Sequence, residues 1–170
     1  MATISMYQGS VPVFLQLLGG LKGFLEKAEA QATAKKFDQA ALLNWRLFPD
    51  MFTFARQVRQ ASEHALGAGR AAGVEVPKLP EIDNSFAEMK DRVDKTIAFL
   101  KTLTPAQLDG KEDSTVTITL GGQPRNFRAQ VYLYHFAVLN FYFHLTTAYN
   151  ILRHLGFDLG KRDYMGTMPS

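Results

Sequence analysis

Cysteine is missing from all 170 residues. Its absence excludes disulfides, thiolate metal sites and a cysteine nucleophile together. Histidine is scarce, with four in the chain, so any metal or acid–base chemistry has to be assembled from His64, His135, His144 and His154. Clustered positive charge is missing as well. The formal charge is +3, and Lys35-Lys36 and Lys161-Arg162 are the only adjacent basic pairs. A nucleic-acid binder carries a basic stripe, so no nucleic-acid partner is expected. There is no phosphate-binding glycine loop, because Gly19-Gly20 lies inside a helical pattern and no Lys-Ser/Thr follows it. Serines are few and G-x-S-x-G does not occur. Near the N-terminus there is no early Lys or Arg, and the apolar run Val11 to Leu18 is short and interrupted by Gln16. That is unlike a signal peptide, so a cytoplasmic location is expected.

Charge of either sign is also absent from Ala129 to Leu152, a stretch long enough to span a bilayer. It contains Gln130, His135, Asn140, His144, Thr146, Thr147 and Asn150, which a solitary span would bury in lipid at considerable cost. The stretch therefore reads as the central helix of a bundle, and no membrane association is expected. Hydrophobic content of 46% with 21% charged residues is ordinary for a soluble globular chain. The length suits one domain covering residues 1–170.

Apolar periodicity predicts four long helices. The first runs from about Ser5 to Ala34, with Val13, Leu17, Leu21, Phe24 and Ala28 at helical spacing. Pro12 lies in its first turns, and Gly19-Gly20 and Gly23 would permit close packing against a neighbour. Residues 37–46 read as a short connection, partly helical. A second helix is expected to start near Pro49, a residue favoured at the first helical position, and to run to the break at Gly67-Ala-Gly69. A proline-punctuated loop covers 73–83. Asn84 or Ser85 caps a third helix carrying Phe86, Met89, Val93, Ile97 and Leu100, which ends before Thr104-Pro105. The period then changes to two: Val116, Ile118 and Leu120 alternate with threonines, Gly121-Gly122 signals a turn, and 123–127 supply a return strand. The fourth helix runs from about Arg128 to Leu155 and is closed by Gly156. These elements make an all-α antiparallel four-helix bundle with a small β-hairpin before the last long helix, a scaffold whose sites are built from inward-facing side chains.

The fourth helix holds the most informative pattern. At 100° per residue, Leu133, Ala137, Asn140, His144, Ala148, Ile151 and Leu155 fall within about 40° of one another. Asn140 and His144 thus point toward a core and need partners there. His135 lies about 180° from His144 and His154 about 80° from it, so neither joins that face. On the second helix Asp50, Gln57 and His64 recur every seven residues as a column beside the apolar stripe, with His64 a half-solvated boundary residue. A Gln57 facing His144 would satisfy a buried group that otherwise costs on the order of 1–3 kcal/mol. The rings of Tyr132, Tyr134, Phe136, Phe141, Tyr142, Phe143 and Tyr149 read as core and interface material rather than a ligand cage.

Several segments carry a resemblance: Arg46-Leu-Phe-Pro-Asp50-Met-Phe, Arg56-Gln57-Val58, Asn140-Phe-Tyr-Phe-His144, Tyr149-Asn-Ile-Leu-Arg153-His154 and Gly160-Lys161-Arg162-Asp163-Tyr164. Across almost the whole chain they resemble an uncharacterised bacterial family, a domain of unknown function within the DinB/YfiT-like metalloenzyme superfamily. The pattern departs at Leu139, where proline is expected. The resemblance implies a DinB-like bundle. It also implies a divalent metal, zinc or nickel, held by one histidine on the second helix and a His-x-x-x-His pair on the last. Carried over, His144 is the first member of that pair, Ala148 stands where the second would be, and Gln57 occupies the second-helix position. The triad is incomplete at Gln57 and Ala148, so no resident cofactor is expected and His144 is the one metal-ligand candidate.

The reading that follows is a degenerate metal site turned polar pocket. It contains His144, Asn140 and Gln57, with Arg46, Asp50 and Tyr134 at its mouth, in a small-molecule-binding or dimeric structural module. The alternative, by analogy with the superfamily, is a metal-dependent hydrolase or thiol-dependent transferase. A homodimer is expected because DinB-like bundles often pair. The first helix is apolar on more than one side (Val11, Phe14, Leu15, Leu18, Leu25 against Val13, Leu17, Leu21, Phe24), and the fourth is apolar nearly all round.

Overall fold

A computed structural model of the chain describes residues 4–81 and 83–169. The first bundle helix, α1 (Val11–Ala34), starts later than Ser5 because residues 6–10 form a turn, and Pro12 sits in its first turn. A short α2 (Gln39–Leu43) is capped by the Asp38 carboxylate, which accepts from the Ala40 N–H. The second bundle helix is α3 (Phe54–Ala65), continued after Leu66 by α4 (Gly67–Ala72). The third is α5 (Phe86–Leu100), followed by the single turn α6 (Pro105–Leu108). Strands β1 (Thr115–Leu120) and β2 (Gln123–Arg128) pair antiparallel, Thr115 opposite Arg128 and Leu120 opposite Gln123. The fourth bundle helix comprises α7 (Ala129–Val131), a π-helical turn (Tyr132–Ala137) and α8 (Val138–His154). The short α9 (Lys161–Met165) ends the fold. No helix among the described residues is long and apolar enough to cross a membrane.

Local chemistry explains most of the boundaries. Ser85 Oγ accepts from the Glu88 N–H at 3.1 Å and Glu88 Oε2 accepts from the Asn84 N–H at 2.7 Å, a reciprocal cap at the predicted place. Gly121 and Gly122 both have positive φ, 58° and 76°, the requirement of a two-residue hairpin turn. Gly156 (φ 80°) terminates the last long helix.

The start of the second helix corrects the sequence expectation. The second helix begins at Phe54, because the Thr53 hydroxyl caps it by accepting from the Arg56 N–H. Pro49 instead lies in an exposed turn whose carbonyl accepts from Arg46 Nη1. The helix breaks after Ala65, next to the expected Gly67-Ala-Gly69, and the short α4 then runs to Gly73, whose φ of 71° no β-carbon residue adopts easily. The loop 73–83 is non-helical where described, with residue 82 outside the described residues.

The core is shared by all four bundle helices. α3 packs chiefly on α8, and α1 on α5 and α9, with α5 closing against α3. Phe14 meets Phe141 edge-on at 4.8 Å between centroids. Both apolar sides of α1 are used within the chain: Val11, Phe14, Leu18 and Leu25 are buried, and so are Leu17, Leu21 and Phe24. Of the α1 glycines, Gly20 alone makes the close approach, since a β-carbon there would stand 2.4 Å from the Tyr164 carbonyl of α9; Gly19 and Gly23 face open space. On α8 the buried stripe is centred on Phe141, Leu145, Ala148 and Leu152. Asn140 and His144 therefore lie along its edge rather than at its middle.

Candidate functional site

At that edge α3, α8 and residues 50–52 enclose a pocket of about 490 Å³. It is lined by Asp50, Met51, Phe52, Gln57, Gln60, His64, Phe136, Asn140, Phe143 and His144. His144 is buried, and its Nδ1 lies 2.7 Å from Gln57 Oε1. The Gln57 Nε2 donates to the Phe52 carbonyl at 3.2 Å. A carbonyl can only accept, which settles the orientation of the amide and makes Oε1 the acceptor of the His144 bond. The Nδ1–H of His144 therefore donates, and the Nε2 carries the lone pair. Arg92 Nη1 is the one buried side-chain nitrogen or oxygen without a partner among the described residues. His144 Nε2 makes no hydrogen bond among the described residues and is not one of their fully buried atoms, so it is open to the pocket it lines.

Rings hold the imidazole in place. Phe52 lies parallel to it at 5.9 Å between centroids and His64 parallel at 5.5 Å, while Phe143 meets it edge-on at 5.3 Å. The Arg56 guanidinium covers the Phe52 ring at 3.5 Å. Burial, with the positive charge of Arg56 added, lowers the His144 pKa from 6.5 to about 4. Burial also lowers that of His64 to about 4, helped by His144 and Arg70. Both imidazoles are thus neutral at pH 7.

Asn140 reaches the same pocket in a different way. Its Nδ2 donates to the Phe136 carbonyl at 2.8 Å, inside the π-helical turn, leaving Oδ1 as its free acceptor. A π turn loosens the regular backbone ladder and is often found at functional sites. This turn lies just before Leu139, the position at which the sequence departs from the resembling family. Asp50 lines the pocket from the loop before α3 rather than from the helix, so the predicted Asp50–Gln57–His64 column is broken at its first member.

Two predicted mouth residues lie elsewhere. Arg46 is exposed, and its guanidinium is engaged by the Pro49 carbonyl at 3.2 Å. Tyr134, in the π-helical turn, donates to the Ser5 carbonyl at 3.2 Å. The residue that sequence reasoning undervalues is His64, whose ring shares the pocket with His144. Its seven-residue spacing from Gln57 was the available signal. Phe52, Phe136 and Phe143 line the pocket, whereas Tyr132 and Phe141 belong to the core.

The residues do not fit a three-histidine metal centre. The position opposite His144 is an amide, and Ala148 contributes a buried methyl group. Among the described residues no three histidine, aspartate or glutamate side chains converge as a ligand set.

Four antiparallel bundle helices with a hairpin before the last define the DinB-like class. The crystal structure of a DinB family member protein from Shewanella denitrificans matches with a TM-score of 0.85 and 35% identity, over 96% of this chain and 93% of that one. The chain belongs to the family described as Domain of unknown function (DUF1993), whose model matches residues 6–165. No protein of curated function matches it.

Proposed function

We propose that this DinB-like bundle is a small-molecule-binding module that works without a resident metal. The observation carrying the reading is the His144–Gln57 pair. A buried imidazole held in one tautomer directs a bare Nε2 at a pocket whose size falls in the range of ligand sites, roughly 300–1,000 Å³. The ring walls provide apolar contact, and Asn140, Gln60 and Asp50 provide orientation. A thermal-shift screen of small organic compounds, run on the natural chain and on His144→Ala, tests it. Ligands should raise the Tm of the natural chain and leave the variant unmoved. Elemental analysis of protein purified without an affinity tag tests the metal. Near-stoichiometric zinc or nickel that His144→Ala abolishes would replace this reading with a metal-dependent hydrolase or thiol-dependent transferase.

Self-association is a second reading, favoured by one observation: Leu139 and Phe143, one turn apart on α8, are 58% and 56% exposed beside the pocket mouth. Light scattering should then give twice the 19.0 kDa monomer mass, and Phe143→Ser should return the monomer.

A further inference from the structure

The hydrogen-bonding character of the pocket is one-sided. Two lining groups of settled orientation, His144 and Asn140, each present an acceptor. His144 Nε2 is bare because Nδ1–H is committed to Gln57. Asn140 offers Oδ1, while its Nδ2 gives one of its two hydrogens to the Phe136 carbonyl. Asp50 contributes a carboxylate. No lysine or arginine lines the cavity; Arg56, the nearest guanidinium, sits on the Phe52 ring and lines a separate cavity with Arg59 and Asp83. His64 and Gln60 make no hydrogen bond among the described residues and can present either a donor or an acceptor. The faces and edges of Phe136 and Phe143 complete the wall.

An anion entering this space would meet the His144 lone pair and the Asp50 carboxylate, with no lysine or arginine in the lining to receive its charge. A protonated amine would meet the opposite. Its N–H groups would find the His144 lone pair and the Asn140 oxygen, its charge would find Asp50, and its body would find aromatic carbon that attracts cations. From this we infer that the pocket takes a primary or secondary ammonium group carried on an apolar or aromatic body. The assignment rests on the pocket-binding reading above and narrows it to a ligand class. His144 supplies the central acceptor, Gln57 fixes its tautomer, and Asp50 at the mouth provides the charge preference.

The test uses three matched probes on the full chain at neutral pH, each titrated by calorimetry: phenethylamine, 2-phenylethanol and 3-phenylpropionate. The amine should bind more tightly than the alcohol, and the carboxylate should not bind. Asp50→Asn, a change in an exposed loop that leaves the bundle intact, should weaken the amine about threefold and leave the alcohol unchanged, as expected of one partly solvated charge. His144→Ala should weaken the amine by more than roughly tenfold. Because that variant also removes packing, the imidazole nitrogens of the natural chain provide an independent readout by NMR. The Nε2 resonance of His144 should move on adding the amine while its Nδ1–H stays in place. Binding of the carboxylate as tight as the amine, or of the alcohol as tight as the amine, overturns the ammonium assignment and leaves the pocket-binding reading standing. If none of the three binds and the screen above also finds no ligand, both fall.

Discussion

Two buried polar pairs in this fold differ in kind, one charged and one neutral. On one side Arg92 of α5 reaches Asp83, Nε to Oδ2 at 2.7 Å, and also donates to the Pro80 carbonyl; the two side chains are 1% and 3% exposed. On the other, His144 of α8 donates to Gln57 of α3 at 2.7 Å. The first pair is charged; Asp83 also lines a cavity with Arg56 and Arg59, and one Arg92 nitrogen is unpartnered among the described residues. The second is neutral and opens onto a cavity through a free lone pair. The charged pair ties down the loop that enters α5. The neutral pair joins two bundle helices and orients an acceptor toward the pocket on which the proposed function rests.

The comparison breaks most visibly if each pair is cut. Asp83→Ala strands a guanidinium in the interior and should cost about 3–5 kcal/mol, read as a lower denaturation midpoint in urea with the slope unchanged. Ligand binding at the His144 pocket, measured in the folded fraction, should survive it.

Acid should act on the neutral pair. The pKa of His144 lies at about 4 in the fold and near 6.5 unfolded, so below 6.5 the unfolded chain takes up a proton that the folded chain refuses. Stability is therefore full above pH 6.5, falls as pH drops toward 4, and levels off below it. At 1.36 kcal/mol per unit the loss approaches ~3 kcal/mol for His144, with His64 adding a part that overlaps because the two rings interact. Urea denaturation at a series of pH values checks the window, and His144→Phe should flatten much of the slope.

His144→Ala at pH 7 should cost less than the Asp83 change, roughly 1–3 kcal/mol, because a neutral Gln57 oxygen rather than a charge is left unpaired. Combining Gln57→Leu with His144→Leu should recover most of that loss by removing both polar partners, while ligand binding stays abolished. A double variant that still binds would show that the pair is structural after all. The smallest effect belongs to Asn140→Ala, about 1 kcal/mol, from loss of the bond to the Phe136 carbonyl in the π turn. Urea denaturation measures it, and a value near zero would mean that the turn holds without its side-chain donor.

Much of this was readable in the chain, for reasons that can be named. Helical periodicity, the Asn84–Ser85–Glu88 cap, the Gly121-Gly122 turn and the Gly156 stop are local signals whose physics acts within a few residues. Gln57 and His144 were legible as a facing pair because each sits beside an apolar stripe and a buried imidazole demands a partner. The start of the second helix was misread, since Pro49 and Thr53 are both good helix-start residues and only the folded loop shows which one caps.

The sequence by itself determined the four amphipathic helices, the hairpin and the absence of any cysteine ligand or nucleophile, because composition and period-dependent burial do not wait on tertiary contacts. Tertiary structure alone decided that Tyr134 and Arg46 stay out of the pocket and that His64 stacks on His144. It also decided which imidazole nitrogen carries the proton. Those outcomes depend on the rotation of α8 against α3 and on the path of residues 46–53 across them. Such long-range geometry is set by how whole faces pack, and no single spacing in the chain encodes it.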